Sequence, residues 1–177
     1  KLTAAAAPAR AAAPRKPAAQ QLRAGTAFPA FALPSTQGKR VTAAAPRPDE
    51  LVVFTAHALP VRVVEAGDSY AAEVAETAEA VAKACGITKY RRAYQSAGRT
   101  PEPWIGPDLG SLIDQESGNG VRKFLVVPIG FVCDHVEVLY DLDVEAKATC
   151  EEIGLPMARA AAVNDHPRFI DAMADAV

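Results

Sequence analysis

Val121-Arg122-Lys123-Phe124-Leu125-Val126-Val127-Pro128-Ile129 runs directly into Gly130-Phe131-Val132-Cys133-Asp134-His135, and the reading of the fold turns on this stretch. Phe124 to Val127 are apolar without a break, as in a strand buried on both faces of a parallel sheet. The strand then ends at ionisable groups. Upstream, Leu51-Val52-Val53-Phe54-Thr55-Ala56 has the same form and ends at His57. Between the two runs, Val74, Ala78, Val81 and Cys85 predict a helix over 70–85, stopped by Gly86. Tyr90 to Gln95 reads as a further strand, Ser96 to Pro107 as a loop around Trp104, and Asp108 to Glu116 as a short helix. Downstream, a long helix is expected over 136–153 with Gly154 as its stop, and a last one over 167–176 opened by Pro167. Strands alternating with helices imply right-handed crossovers. The expected fold is α/β, a three-layer Rossmann-like parallel sheet flanked by helices, with functional groups at the carboxyl ends of its strands.

Outside this body the composition changes. Residues 1–48 hold seventeen alanines, seven of the fourteen prolines, eight Lys or Arg and no Asp or Glu, whereas 49–177 carry eleven basic and twenty-one acidic residues. The net charge of −2 is therefore about +8 on an arm and −10 on a domain. The basic residues of the arm stand singly among Ala and Pro. They read as a disordered low-complexity arm rather than a nucleic-acid-binding or membrane-binding segment. No run reaches the roughly 20 apolar residues of a membrane span, and the first thirty residues lack a signal peptide's apolar core, so a cytoplasmic location is expected. The first residue is Lys1 rather than Met, which suggests a fragment. Cys85, Cys133 and Cys150 form no Cys-x-x-Cys pair, which argues against a zinc or iron–sulfur framework and reads most simply as core filling in a reducing compartment.

Two groups of residues have chemistry to offer. His57, at a strand end, is either a core histidine satisfied by hydrogen bonds or a proton acceptor and metal ligand. Glu137, Asp141 and Glu145 stand four apart, so on a helix three carboxylates line one face over about 12 Å. Like charges at that spacing repel one another. The ladder is either a solvated acidic face or a path visited by a cation, and spacing leaves both open.

Thr55-Ala56-His57-Ala58-Leu59-Pro60 resembles the ferrochelatase motif usually written Ser-Ala-His-Ser-Leu-Pro, followed as in that family by a Gly-Asp-x-Tyr turn at 67–70. Tyr94-Gln95-Ser96 and Thr100-Pro101-Glu102-Pro103-Trp104-Ile105-Gly106-Pro107 are similar to its Gln-Ser and Trp-x-Gly-Pro segments. Val127 to Glu137 resembles its most recognisable stretch, and Asn164 to Ala172 its closing helix. The form of the Trp loop is similar to that of the coproporphyrin ferrochelatases of Gram-positive and related bacteria. Ala58 stands where a serine is common.

The resemblance implies a chelatase-like half at 49–177 and a lyase of heme biosynthesis that inserts Fe²⁺ into coproporphyrin III or protoporphyrin IX. His57 and Glu137 are then the catalytic pair. His57, Glu137, Asp141 and Glu145 handle the metal, and Asp134 and His135 support them. Porphyrin and ferrous iron are the implied partners, iron being substrate, with no permanently bound cofactor and no nucleic acid. Relatives are about twice as long and build the porphyrin cleft between two halves, so a missing amino-terminal half or self-association is also implied. The alternatives are a catalytically incomplete porphyrin- or metal-binding fragment, one half of a split chelatase, and a chelatase for another divalent metal such as cobalt.

Overall fold

The computed structural model describes residues 32–34, 40–42 and 47–176. Ala32–Pro34 (β1) and Arg40–Thr42 (β2) pair antiparallel, so six residues of the stretch expected to be a disordered arm are strand. The rest of that arm, up to residue 46, lies outside the described residues. The domain follows in the order Glu50–His57 (β3), Val61–Glu65 (α1), Tyr70–Cys85 (α2), Tyr90–Gln95 (β4), Leu109–Gly118 (α3) and Lys123–Val127 (β5). Val136–Val138 (α4), a π-helical segment Leu139–Ala146 and Lys147–Glu152 (α5) then form one helical run, before Met157–Arg159 (β6) and Pro167–Asp175 (α6).

The four domain strands are all parallel, in the order β4-β3-β5-β6. Alternation along the central strands builds both outer layers. Leu51, Val53, Phe124 and Val126 point to the face covered by α3 and the 136–152 run, where they pack with Leu112, Ile113, Val138, Leu142, Ala146 and Cys150. Val52 and Phe54, with Leu125 and Val127, point the other way onto Ala78, Val81 and Ala82 of α2. A fully buried Phe or Leu contributes about 1.5–3 kcal/mol of apolar transfer free energy, so this double-sided core holds the two layers on the sheet. Its parallel strands start under a polar lock: Glu50 Oε1 accepts from Lys123 Nζ at 2.8 Å and from Arg47 Nη2 at 3.0 Å, and its carboxyl is lowered to about 2 by those hydrogen bonds.

The sequence-based boundaries hold for most elements. Gly86, at φ 66°, ends α2, and Asp108 caps α3 by accepting from the Ser111 N–H at 3.1 Å. Four points differ. β5 spans only Lys123–Val127: Pro128 has no N–H to give a ladder, and the Ile129 N–H turns back to the Val127 carbonyl at 2.9 Å. β6, three residues on the sheet edge, was not expected. The long helix is π-helical over its middle eight residues. Finally, the cysteines are not all core: Cys150 is buried and Cys85 half-buried, while Cys133 is exposed, because its loop crosses the open end of the sheet.

Candidate metal-handling site

The order β4-β3-β5-β6 fixes where a site can form. From β3 the chain crosses through α2 on one face to β4, whereas from β5 it crosses through the helical run on the other face to β6. Connections leaving adjacent strands on opposite faces open a crevice at their carboxyl ends. His57 ends β3 and residues 128–137 follow β5, so both candidate groups meet at this crevice.

The backbone there is held tightly. The Gly130 N–H donates to the Thr55 carbonyl at 3.0 Å, and a Cβ on Gly130 would meet Ala56 Cβ at 2.5 Å and Cα at 2.7 Å, so only glycine allows this approach. On the other side of β3, the Ala58 N–H donates to the Gln95 carbonyl at 2.7 Å and the Tyr70 hydroxyl to the His57 carbonyl at 3.0 Å. Burial raises the Tyr70 phenol, keeping it a neutral donor. The Trp104 loop is laced to residues 59–61 through the Ile105 N–H to the Leu59 carbonyl and the Val61 N–H to the Pro103 carbonyl, both at 2.9 Å.

His57 Nδ1 lies 2.5 Å from the Ala58 carbonyl. A carbonyl only accepts, so Nδ1 carries the hydrogen, which leaves Nε2 as the ring nitrogen that can offer a lone pair. Nε2 faces Glu137 Oε1 at 3.5 Å, both side chains being partly open to solvent. Two acceptors pointed at each other call for a proton or a cation between them. Two ligands each about 2.1 Å from one ion in tetrahedral geometry stand about 3.4 Å apart, close to this separation. Phe131 forms the floor, its ring centroid 6.5 Å from that of His57 and 5.4 Å, edge-on, from that of His135.

Asp134 turns away from this pair. Its carboxylate accepts from Arg159 Nη1 at 2.7 Å and from Asn164 Nδ2 at 2.9 Å, while its own N–H donates to Asn164 Oδ1 at 2.8 Å. Burial would raise that carboxyl, but the hydrogen bonds from Asn164 and Arg159 outweigh it and hold it below the ordinary carboxylate range. Asp134 therefore shapes the loop, and Arg159 and Asn164 join the set of residues that do so.

Asp141 lies elsewhere again. Its carboxylate accepts a short hydrogen bond from the hydroxyl of Ser96, a non-glycine residue at φ 61° just beyond β4. Asp141 and Glu145 line a cleft of about 430 Å³ with Gln95, Ser96, Asp108 and Glu152, and no Lys or Arg is among its lining residues. Gln95 is 4% exposed and neither of its amide atoms has a partner. Such a wall suits a hydrated cation, not an anion. The four residues expected to handle metal are thus two pairs, His57 with Glu137 and Asp141 with Glu145. Among the described residues no three His, Cys, Asp or Glu converge on a common point. A structural metal takes about four protein ligands, whereas a two-ligand pair leaves an ion's other positions open. His166 caps α6, accepting from the Arg168 N–H. No helix among the described residues is long and apolar enough to cross a membrane.

A family model described as Ferrochelatase matches residues 5–177. The chain is 46% identical over 132 residues to a coproporphyrin III ferrochelatase of a Geobacillus species, covering 74% of this chain and 43% of that protein. It is 46% identical over 125 residues to a ferrochelatase of Thermus thermophilus, covering 71% and 39%, and 42% identical over 133 residues to a ferrochelatase of Deinococcus radiodurans, covering 74% and 42%. The chain thus spans less than half the length of these curated relatives. A solved structure of a CbiX protein from Marinobacter aquaeolei VT8 is 23% identical, covers 72% of this chain and 92% of that one, and gives a TM-score of 0.47.

Proposed function

The chain belongs to the ferrochelatase family, and from that premise we propose that it supplies the metal-handling half of a chelatase that inserts Fe²⁺ into a porphyrin in heme biosynthesis. The observation that carries this reading is the His57 Nε2–Glu137 Oε1 pair at 3.5 Å, poised at the carboxyl edge of the sheet. Metallation displaces two protons from pyrrole nitrogens as the ion enters. The Nε2 lone pair and the Glu137 carboxylate are two acceptors close enough to serve one centre, and the bond from Nδ1 to the Ala58 carbonyl keeps Nε2 as the accepting atom. The acidic cleft at Asp141 and Glu145 offers an incoming hydrated ion carboxylate oxygens in place of water, while Asp134, bonded to Arg159 and Asn164, shapes the loop that leads to Glu137 and His135 packs on Phe131. Coproporphyrin III, the porphyrin in the names of the Geobacillus relatives, is the first substrate to test and protoporphyrin IX the second.

One observation favours a second reading. The matched region is 39–43% of the lengths of the relatives above, and the second reading is that the porphyrin cleft needs a further wall beyond this region, supplied by another polypeptide or by a second copy. Anaerobic insertion of Fe²⁺ into coproporphyrin III, followed by loss of porphyrin fluorescence, tests both. Insertion abolished by His57→Ala and by Glu137→Ala is the expected result. A folded chain that inserts nothing alone, and gains insertion when the complementary half of a relative is added, supports the second reading. Insertion that survives both substitutions overturns the assignment of this pair, and failure in every arrangement overturns the chelatase reading.

A further inference from the structure

Arg159 stands on the edge strand β6, yet it is the largest of the fully buried side chains, at 1% exposure. Four of its five N–H donors are used. Nε and Nη2 both reach Asp143, each at 2.8 Å, in the forked geometry that only guanidinium provides; Nη1 reaches Asp134 Oδ1 at 2.7 Å and the Ala160 carbonyl at 3.1 Å. Asp143 lies inside the π-helical segment, midway between Asp141 and Glu145, and Asp134 lies on the loop that leads to Glu137. One buried cation therefore grips both ends of the stretch carrying Glu137 and Asp141.

A π-helical turn is less favourable than an α-helical one and persists only where surrounding contacts hold it. Relaxing it by one residue would rotate the remainder of the helix by about 100°, which would take Asp141 away from Ser96 and Glu145 out of the cleft. We propose that Arg159 is a positioning residue for metal handling: its fork onto Asp143 pins the π-helical register, and its bond to Asp134 sets where that register begins. This deepens the proposed function and rests on it.

Removing the guanidinium outright leaves two half-buried carboxylates without their cation and threatens folding. The test therefore uses Arg159→Lys, which keeps a charge but cannot fork, and Asp143→Asn beside it. Backbone hydrogen exchange is read separately over 139–146 and over β3 and β5, together with Co²⁺ affinity of the whole chain by titration calorimetry. In both variants exchange over 139–146 rises while β3 and β5 keep their protection, and Co²⁺ affinity falls about tenfold, as for loss of a group that orients a metal ligand. Exchange that rises equally everywhere, or Co²⁺ affinity that does not change, overturns the positioning role while leaving the chelatase reading intact. A wild-type chain whose Co²⁺ uptake is absent, or indifferent to Glu137→Gln, overturns the metal reading and this proposal with it.

Discussion

Gly130→Ala puts one methyl group where the site has no room for it. The new Cβ would sit 2.5 Å from Ala56 Cβ and 2.7 Å from Ala56 Cα, against an ordinary carbon separation of roughly 3.5–4.0 Å, so the two backbones must part by about 1 Å. Neither side gives easily: Ala56 is wholly buried in the central strand, and Gly130 is tied to the Thr55 carbonyl at 3.0 Å. Overpacking of this kind costs about 1–3 kcal/mol, which lowers the urea midpoint. The functional effect is separate. The same 1 Å widens the gap between His57 Nε2 and Glu137 Oε1 from 3.5 Å to about 4.5 Å, wider than two ligands each about 2.1 Å from one ion can span. Co²⁺ affinity, measured by titration calorimetry in the absence of urea, therefore falls further than the stability loss alone would bring about. Adding Ala56→Gly removes the Cβ–Cβ contact but not the one with Cα, so the double variant recovers part of both losses. A Gly130→Ala protein with an unchanged urea midpoint and unchanged Co²⁺ affinity would refute the close-approach reasoning.

Glu50→Gln should lower stability at pH 7 by about 1–2 kcal/mol, a figure held down by the solvent exposure of Arg47 and Lys123. Because the folded carboxyl lies at about 2, below its ordinary value, the unfolded chain binds more protons between about pH 5 and 2; the wild-type advantage is full above that window and vanishes on acidification through it, as urea melts at several pH values would record. Asp108→Ala removes the cap bond to the Ser111 N–H and should cost about 1 kcal/mol in thermal or urea unfolding, and Asp108→Asn only a fraction of that. In the native protein, iodoacetamide should label exposed Cys133 quickly. Buried Cys150, its thiol pushed up to about 11 by burial and by nearby Asp114 and Glu151, should label only on unfolding; peptide mass spectrometry that finds Cys150 modified as fast as Cys133 would contradict that placement.

The two apolar runs were legible because their chemistry is local: Leu51 to Ala56 and Phe124 to Val127 must be buried on both faces whatever else the chain does, and each hands over to polar residues at its carboxyl end. His57 and Glu137 followed from those ends. The edge strand β6 was not legible, since Met157-Ala158-Arg159 is short and has no apolar alternation, and the importance of Arg159 is visible only when Asp134 and Asp143 are brought to it from 25 and 16 residues away. The π-helical segment did leave a signal. Val138, Leu142, Ala146 and Cys150 are buried at a strict spacing of four, and Val136, Tyr140 and Val144 are exposed at the same spacing. In an α-helix each step of four overshoots by about 40°, so four successive buried positions would wind off the core. Widening the turns in the middle straightens the stripe. A run of fours without an intervening three was the mark of the π-helix.

That straightened stripe also explains why charge along the run is compensated so unevenly. Asp143 faces a guanidinium that is always charged. Glu137 faces the imidazole of His57, and Asp141 faces only the neutral hydroxyl of Ser96. Glu145 has no ion-pair partner among the described residues, although it borders the same cleft as Asp141 and Glu152. In a merely solvated acidic face, substituting one carboxylate would relieve repulsion and leave divalent ions indifferent. In the proposed chelatase, the permanent cation belongs to the residue that sets the register, and the uncompensated charge belongs to the residues an ion would visit. Glu145→Gln separates the two. It should raise the urea midpoint slightly by removing repulsion while weakening Co²⁺ binding measured in the same protein, and a variant that gains stability with undiminished Co²⁺ binding would return Asp141 and Glu145 to the solvated face.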